Sequence, residues 1–459
     1  MRNMSFLRNE GWIRAMCGLG ACAMLFVVVL TAPVLAEQPE SVVRAQWVAS
    51  PEPGWPQWRG PRRDGKSDET GLAATWPEGG PRAIWTATDL GRGYSAPVIQ
   101  GDRLWLTGDV GEELRIFALD LEGKPIWQAR NGAAWRGPYP GARASVAVSE
   151  GRLFHLNAHG RVVCLEAASG RELWGVNLFE EFGGKNITWG ISECLLVDGD
   201  RVIVTPGGTR ALMAALDVRD GSTVWSSGPL RLGASELPRH ERVAEPAGDT
   251  DNAGYASPIL VEMGGRRVIV SCSLRHLFGV DAASGELLWT RPLPTRFEVI
   301  AAPPVLVGDA IFVTAPDAGG GRLYRLSGEA GAIVPELAWK TELDTCHGGV
   351  LHLDDMLFGA WYRARKGWAA LDARTGAVRY ELREVPKGSL LHADGRLYAL
   401  SEAGEMLLLR PGDGEFEVAG RFEFVGGRVN DVWAHPVVYG KRMYLRYHER
   451  LVCYDIAAR

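Results

Sequence analysis

The chain has 459 residues, a formal net charge of −5 and 46% hydrophobic residues. This length suits one large domain or two ordinary ones, and the apolar content excludes an intrinsically disordered chain. The negative net charge provides no basic surface for nucleic acid, so we expect no such partner. The sequence also contains 57 glycines, 26 prolines and 17 tryptophans. A composition rich in glycine and proline is typical of proteins with many turns.

Residues 1–36 have the pattern of an export signal. Arginines precede an apolar run over residues 15–35, and small residues typical of a cleavage site end at Ala36. We therefore expect cleavage after Ala36 and a periplasmic or extracellular protein. The apolar run is also about long enough to span a bilayer, so an uncleaved N-terminal anchor is the second interpretation. Lipidation at Cys22 is the third, although the strongest apolar stretch follows this cysteine instead of preceding it.

One sequence pattern returns at intervals of roughly 46 residues, the size of a four-stranded propeller blade. Its clearest element is Asp-x-x-x-Gly-x-x-x-Trp, which leads into the last strand of each unit. The acid can accept backbone N–H groups, the glycine takes the positive φ of a tight hairpin, and the tryptophan can pack between neighbouring sheets. The copies are 217–225 and 281–289, with variants at 166–174, 372–380 and 120–127.

Eight strand starts divide the chain after residue 93 into eight units. They lie at Tyr94, Arg143, Ile191, Tyr255, Ala301, His347, Gly388 and Trp433. The eighth unit ends after its third strand, whereas residues 81–86 form a tryptophan-bearing strand that belongs to no unit. We therefore predict an all-β, eight-bladed propeller whose N-terminal strand completes the last blade and removes the open edge. A seven-bladed ring is the alternative.

This interpretation divides the chain into the signal (1–36), a leader segment (37–80) and the propeller (81–459). We expect the leader to pack across the outside of the propeller. Three tryptophans, Trp55, Trp58 and Trp76, would anchor it there.

Five cysteines follow the signal, and no CxxC or Cys/His metal spacing occurs among them. Most are flanked by β-type apolar residues, so we predict buried free thiols that act as small hydrophobic side chains. They are Cys164, Cys194, Cys272, Cys346 and Cys453.

The repeats resemble those of the pyrroloquinoline-quinone (PQQ) repeat propellers, the superfamily of quinoprotein alcohol dehydrogenases and BamB-like assembly lipoproteins. The Asp-x-x-x-Gly-x-x-x-Trp elements and the strand starts at 95–98 and 256–259 carry this resemblance over residues 81–459. The Trp-Pro-Gln-Trp-Arg-Gly-Pro stretch at 55–61 is similar to a subgroup of exported PQQ-like propellers of planctomycete-type bacteria. The resemblance implies the propeller fold but no particular activity, because one fold hosts many functions.

The superfamily's enzymes hold PQQ on the propeller axis, with Ca²⁺ bound by carboxylate and amide oxygens and an aspartate as base. The resemblance thus makes PQQ and Ca²⁺ candidate cofactors, with Glu193, Asp251, Asp317 and Asp344 as candidate acids. Many of these enzymes also carry a pair of adjacent cysteines, which this chain lacks, and it has no CxxCH haem motif. We therefore assign no catalytic residue and no metal ligand from the sequence.

A binding or scaffold module of the cell envelope is our first interpretation, with an envelope protein, a small molecule or a glycan as partner. A PQQ/Ca²⁺-dependent oxidoreductase acting on alcohols or sugars is the alternative, and a carbohydrate-binding propeller is the third. We expect a monomer. Either function would use residues near the axis, where every blade contributes one strand start. The candidates for this axial funnel are Tyr94, Arg143, Glu193, Tyr255, His347 and His435.

Overall fold

A computed structural model describes residues 43–459, except 234–245, 247, 318, 329–331 and 428–430. The predicted signal and the first leader residues (37–42) lie outside the described residues. Within the described part of the chain, no helix has the length and apolar composition that crossing a membrane requires.

The described chain is built almost entirely of β-strands, with a single five-residue helix assigned in it. Three short strands come first: β1 (Ala45–Trp47), β2 (Lys66–Ser67) and β3 (Ala83–Ala87). Blade 1 contains β4 (Val98–Gln100), β5 (Arg103–Val110), β6 (Glu113–Asp120) and β7 (Pro125–Ala133). Blade 2 contains β8 (Ala147–Ser149), β9 (Arg152–Leu156), β10 (Arg161–Glu166) and β11 (Glu172–Asn177), and is followed by α1 (Leu178–Phe182). Blade 3 contains β12 (Leu196–Asp198), β13 (Arg201–Val204), β14 (Ala214–Asp217) and β15 (Thr223–Ser226).

The remaining blades repeat the same four-stranded arrangement. Blade 4 contains β16 (Ile259–Met263), β17 (Arg266–Cys272), β18 (His276–Asp281) and β19 (Leu287–Pro292). Blade 5 contains β20 (Val305–Val307), β21 (Ala310–Ala315), β22 (Gly320–Ser327) and β23 (Val334–Thr341). Blade 6 contains β24 (Leu351–Leu353), β25 (Met356–Ala360), β26 (Trp368–Asp372) and β27 (Val378–Leu382). Blade 7 contains β28 (Gly388–Ala393), β29 (Arg396–Ser401), β30 (Glu405–Pro411) and β31 (Phe416–Glu423), and blade 8 contains β32 (Val437–Tyr439), β33 (Arg442–Tyr447) and β34 (Arg450–Asp455).

The N-terminal strand β3 supplies the fourth strand of blade 8. It pairs antiparallel with β34, and Trp85 lies opposite Cys453. The sheet order is therefore β3-β34-β33-β32, so the first and last strands of the propeller close the ring. The predictions of an eight-bladed ring and of its closure by an N-terminal strand are confirmed.

Within each blade the four strands are arranged in order from the axis to the rim. The first strands are mostly short and buried, and those of neighbouring blades contact one another, for example β4 with β8 and β24 with β28. These strands consequently form the inner ring. The fourth strands, such as β7, are longer and mostly exposed or half-buried, as expected at the outer rim.

The repeated tryptophan and glycine join five of the blades to the next. The Trp174 indole donates Nε1–H to the Val218 carbonyl of the following blade at 3.0 Å. Its ring also covers Gly221, where an added Cβ would lie 2.6 Å from the indole. The same pairing occurs between Trp85 and Gly123, so blade 8 docks on blade 1 as blade 2 docks on blade 3. The predicted function of the motif in blade docking is confirmed.

The leader runs along the inner ring, and its backbone or side chains contact all eight blades. The strand β1 extends blade 4 by pairing with β16, and β2 extends blade 7 by pairing with β28. Trp55 exchanges backbone hydrogen bonds with Ile99 of blade 1 at 2.8 and 2.9 Å. The expectation that this segment lies across the outside is therefore wrong for Trp55 and Trp58. The inner strands leave unpaired N–H and C=O groups facing the axis, and the leader satisfies many of them.

Only the last part of the leader turns outward. There Trp76 packs against Tyr398 and Phe422 of blade 7, with ring centroids 5.9 and 5.6 Å away. The five cysteines of the propeller are all buried and none is in a disulfide, as their apolar flanks predict.

Candidate functional site

The residues that precede the inner strands converge around the axis at one end of the ring. They line a cavity of about 430 Å³, to which every blade except blade 7 contributes at its strand start. Connecting loops complete the wall, and the leader contributes one residue. The lining residues include Trp58, Tyr94, Tyr139, Arg143, Trp189, Tyr255, Phe297, Asp317, His347, Tyr362, Arg363, Trp433 and His435.

One wall of the cavity is a continuous group of aromatic rings centred on Trp433. His347 stacks on Trp433 with ring centroids 4.6 Å apart and planes 20° apart. Tyr94 and Tyr139 approach the same indole from other sides, both at 5.0 Å. The Trp433 Nε1–H donates to a carboxylate oxygen of Glu402 at 3.0 Å, which fixes the ring plane. Such a wall offers a flat apolar surface to a ligand.

The leader supplies the floor. The Trp58 ring lies 5.1 Å from the ring of His435 in an edge-to-face arrangement. His435 in turn hydrogen-bonds through Nε2 to the His347 carbonyl at 3.1 Å. The cavity is thus closed on the side of the leader and bounded by residues from opposite ends of the sequence.

Arg143 is the cationic group of the cavity wall whose partners are all uncharged. Its Nε–H donates to the Trp189 carbonyl at 2.7 Å, and its terminal nitrogens donate to three carbonyls of residues 138–141. The guanidinium also lies 5.1 Å from the Trp135 ring centroid. Burial lowers the pKa of Arg143 to about 10, so it remains charged at neutral pH. A guanidinium has five N–H donors, so these four bonds leave one N–H on Nη2 for a further acceptor.

Of the described residues, Asp317 alone contributes a carboxylate to the cavity lining. It forms an ion pair with Arg363 at 2.9 Å and has a positive φ of 55°. Asp344 lies behind this wall, where its carboxylate accepts three backbone N–H groups of residues 362–364 at 2.8 Å. Asp344 therefore shapes the loop that carries Tyr362 and Arg363.

Two other candidate acids lie outside the cavity lining. Glu193 is buried and accepts hydrogen bonds from the Thr205 backbone N–H at 3.0 Å and hydroxyl at 2.8 Å. Burial raises the pKa of Glu193 to about 7. Asp251 is fully buried and binds Arg275 at 2.7 Å and the ring of His276 at 2.8 Å.

The structure brings together five of the six candidates for the axial funnel, namely Tyr94, Arg143, Tyr255, His347 and His435. Glu193 does not join them, because side chains alternate along an extended segment and its neighbours Ser192 and Cys194 face the cavity.

Both histidines of the cavity are neutral at neutral pH. Burial, together with the charges of Lys387 and Arg143, lowers the pKa of His347 to about 4. Burial, together with the charge of Arg59, lowers the pKa of His435 to about 3. These rings can therefore stack and accept hydrogen bonds, but they carry no charge.

The donor set of the cavity does not fit Ca²⁺. This cation takes six to eight oxygen ligands, usually with several carboxylates. The described part of the chain contains no group of three or more acidic, histidine or cysteine side chains that could hold a metal ion. The carboxylate of Asp317 is already committed to Arg363. The aromatic wall, by contrast, fits the flat ring system of an organic ligand.

The sequence profile of the family described as outer membrane protein assembly factor BamB matches residues 112–379 and 275–459. No curated protein sequence matches the chain. Among solved structures, BamB from Moraxella catarrhalis is 16% identical, with a TM-score of 0.57, and the match covers 82% of this chain and 99% of BamB. Quinohemoprotein alcohol dehydrogenase ADHIIG from Pseudomonas putida HK5 is 14% identical, with a TM-score of 0.59 and coverage of 89% and 81%. The computationally designed protein Ika8 is 11% identical, with a TM-score of 0.51 and coverage of 84% and 100%.

At these identities the structural similarities show the fold alone, and dehydrogenase and assembly factor share it. The profile match is different, since its two segments together span most of the chain. The protein therefore belongs to the BamB-like family of PQQ-like repeat propellers.

Proposed function

We propose that this propeller is an exported binding module of the cell envelope, and that its axial cavity binds a small organic ligand with a flat face. The observation that carries the proposal is the aromatic wall around Trp433, which together with Trp58 encloses a cavity of about 430 Å³. Small-molecule sites are typically concave, mostly apolar and of this size, with a few polar groups that set orientation. Arg143 and Asp317 are such groups.

The envelope location is supported by two separate features. Residues 1–36 have the pattern of an export signal. The family whose sequence profile the chain matches is named after an outer-membrane protein assembly factor. A protein partner in the envelope is compatible with a bound small ligand, because the exposed rim of the blades is not used by the cavity.

The dehydrogenase alternative requires a metal site, and among the described residues the cavity lining offers a single carboxylate, which is already paired with Arg363. Charge stabilisation on the oxygen of a bound quinone would then depend on arginine side chains instead of a metal ion. The arrangement supports binding and orientation of a ligand better than oxidation of an alcohol.

Calorimetric titration of the purified protein with 2-naphthamide, a neutral flat probe, tests the binding proposal. We expect saturable binding at one site, weakened about tenfold or more by Trp433→Ala, because stacking on a single aromatic ring contributes on the order of 1 kcal/mol beyond its buried area. Tyr439→Ala removes an aromatic side chain outside this cavity and should leave the affinity unchanged. Absence of binding, or equal binding by the Trp433→Ala variant, would contradict the proposal.

A second titration separates the alternative function. PQQ is added in Ca²⁺ and again in EDTA, and reduction of an artificial electron acceptor by ethanol and by glucose is measured in parallel. We expect no dependence of binding on Ca²⁺ and no turnover. Calcium-dependent binding accompanied by dye reduction would overturn the binding proposal in favour of a quinoprotein dehydrogenase.

A further inference from the structure

Tyr139 lies at the mouth of the cavity in an unusual backbone conformation. Its φ is 55°, in the left-handed region that residues other than glycine rarely adopt. It also stands between Pro138 and Pro140, and a residue before a proline normally takes an extended conformation. Such strain persists only where the surroundings enforce it, and it occurs preferentially at functional sites. The residues around Tyr139 must therefore impose its conformation.

Arg143 binds the backbone on both sides of Tyr139. Its Nη1 donates to the carbonyls of Tyr139 and Gly141 at 3.0 and 3.1 Å, and its Nη2 donates to the Pro138 carbonyl at 2.8 Å. Its Nε–H donates to the Trp189 carbonyl at 2.7 Å, in the connection between blades 2 and 3. Four of the five guanidinium N–H groups are thus used on backbone carbonyls. Arg143 therefore fixes residues 138–141 and attaches them to the ring.

Trp135 supports the same loop. Its indole Nε1–H donates to the Pro138 carbonyl at 3.0 Å, and its backbone N–H donates to the Asp109 carboxylate at 3.0 Å. The chain passes close to the indole, because a Cβ at Gly137 would lie 2.3 Å from its Cζ2 atom. The Arg143 guanidinium lies 5.1 Å from the same ring, and the charge of Asp109 is close enough to interact with it. The protein itself therefore uses the donors and part of the charge of Arg143.

The Tyr139 ring lines the cavity although it is 53% exposed. The other large hydrophobic side chains of the described residues that are similarly exposed are aliphatic. The ring meets Trp433 edge-to-face, with centroids 5.0 Å apart and planes 63° apart. It also comes near Tyr362 of blade 6, whose pKa is raised mainly by burial and further by the Tyr139 phenol. Tyr139 thus reaches from the loop between blades 1 and 2 over part of the mouth.

Two other residues in loops around the cavity have a positive φ, Glu298 at 53° and Asp317 at 55°. The side chain of each is paired with an arginine, Glu298 with Arg275 and Asp317 with Arg363. Tyr139 differs from them, because its arginine binds the backbone and not the side chain. The conformation of this loop therefore leaves the ring available for contact with a ligand.

We propose that Tyr139 limits the size of the ligand that the axial cavity admits, and that Arg143 is a positioning residue that acts through Tyr139. This inference rests on the proposed binding function and deepens it. With residues 138–141 fixed, the Tyr139 ring narrows the mouth and packs on the outer edge of a bound ligand. A longer ligand must displace the ring against the hydrogen bonds of Arg143. The cavity consequently selects against flat ligands that extend through its mouth.

Two flat amides that differ by one fused ring, 2-naphthamide and anthracene-2-carboxamide, test this proposal by calorimetry with the purified protein. The quantity measured is the ratio of their dissociation constants. We expect Tyr139→Ala to shift this ratio by at least about fivefold in favour of the longer probe, because the mouth opens for it. Alanine meets the same restriction on positive φ as tyrosine, so the substitution changes the side chain alone.

Two control variants retain the ring. Tyr139→Phe keeps the aromatic side chain and removes its hydroxyl group. Arg136→Gln removes an exposed arginine of the same loop that is paired with Glu112. Both should leave the ratio of the two dissociation constants unchanged.

A double-variant cycle separates positioning from direct contact with the ligand. Arg143→Gln should shift the ratio in the same direction as Tyr139→Ala, by at least about threefold, and by less than about twofold in a Tyr139→Ala background. A larger effect in that background would overturn the assignment of Arg143 as a positioning residue. Arg143→Lys keeps the charge but lacks the planar fork, so it should shift the ratio in the same direction. It decides the question if Arg143→Gln does not fold, and an unchanged ratio would then count against Arg143.

The failures of the two proposals are distinguishable. If neither probe binds to the unchanged protein, the proposed function fails and this inference fails with it. If 2-naphthamide binds but Tyr139→Ala leaves the ratio unchanged, only the role of Tyr139 in limiting ligand size is refuted.

Discussion

Replacement of Gly221 by alanine tests how the blades are held together. Gly221 has a φ of 76°, and a Cβ at this position would lie 2.6 Å from Cε3 and 2.9 Å from Cδ2 of Trp174. The indole cannot move aside easily, because its Nε1–H is bonded to the Val218 carbonyl at 3.0 Å and its side chain is buried. The matched control is Gly199→Ala in the same blade, where φ is 59° and an added Cβ meets no atom within 4 Å.

Both substitutions force alanine into the left-handed region, which costs about 1–2 kcal/mol. The reduced entropy of the unfolded chain offsets roughly 0.4–1 kcal/mol of this cost. Gly221→Ala additionally overpacks the blade interface, at a further cost of about 1–3 kcal/mol. We therefore expect Gly199→Ala to destabilise by about 1 kcal/mol and Gly221→Ala by about 2–4 kcal/mol.

Urea unfolding followed by far-UV circular dichroism measures the difference between the two variants. A double variant strengthens the test, because in a Trp174→Ala background the clash is absent and Gly221→Ala should cost no more than Gly199→Ala. Equal destabilisation by the two single variants would refute the conclusion that the glycine is required by the indole of the preceding blade.

Three further predictions concern buried groups and ring closure. In Glu193→Gln the amide oxygen can still accept the Thr205 backbone N–H, and the amide N–H can donate to the Thr205 hydroxyl oxygen. The unchanged protein should therefore lose more stability than the variant, by up to about 3 kcal/mol, as pH rises from 5 to 8 in urea unfolding. The sign follows because the folded pKa of Glu193 is about 7 against 4.5 unfolded, so folding favours the protonated acid. Asp251→Ala leaves the charge of Arg275 paired with Glu298 alone and should cost about 3–5 kcal/mol in the same assay; a change below 1 kcal/mol would be inconsistent with this network. Trp85→Ala should speed the hydrogen exchange of backbone amides in β34 more than the control Thr86→Ala, which changes an exposed neighbouring residue. Equal exchange rates in the two variants would contradict the conclusion that the Trp85 indole helps to close the ring.

The repeat made most of the fold predictable, because each blade is specified by local features. The acid and glycine of each hairpin and the tryptophan that follows lie within nine residues, so their spacing is visible in the sequence. The path of the leader has no such signal. Its strand β1 pairs with residues more than 200 positions away, and what draws it to the axis is the unpaired edge of the inner strands.

The site was predictable to the same extent as the strand starts. Tyr94, Tyr255 and His347 precede inner strands, so their place in the cavity is visible in the sequence, whereas Trp58 comes from the leader, whose path the sequence does not show. Glu193 also lies at the start of an inner strand, but the alternation of side chains turns it away from the cavity. A parity argument from Cys194 would have excluded it.

The leader links the architecture to the chemistry of the cavity. An inner strand leaves carbonyl groups facing the axis, and a buried carbonyl without a donor is costly. Arg59 and Arg63 satisfy such carbonyls in blades 6 and 3. An amide side chain could do the same without charge, yet it would reach less far and offer fewer donors. The positive charge of Arg59 that results lies beside the floor of the cavity. The segment that fills the ring therefore also borders the axial cavity, through Trp58 and Arg59.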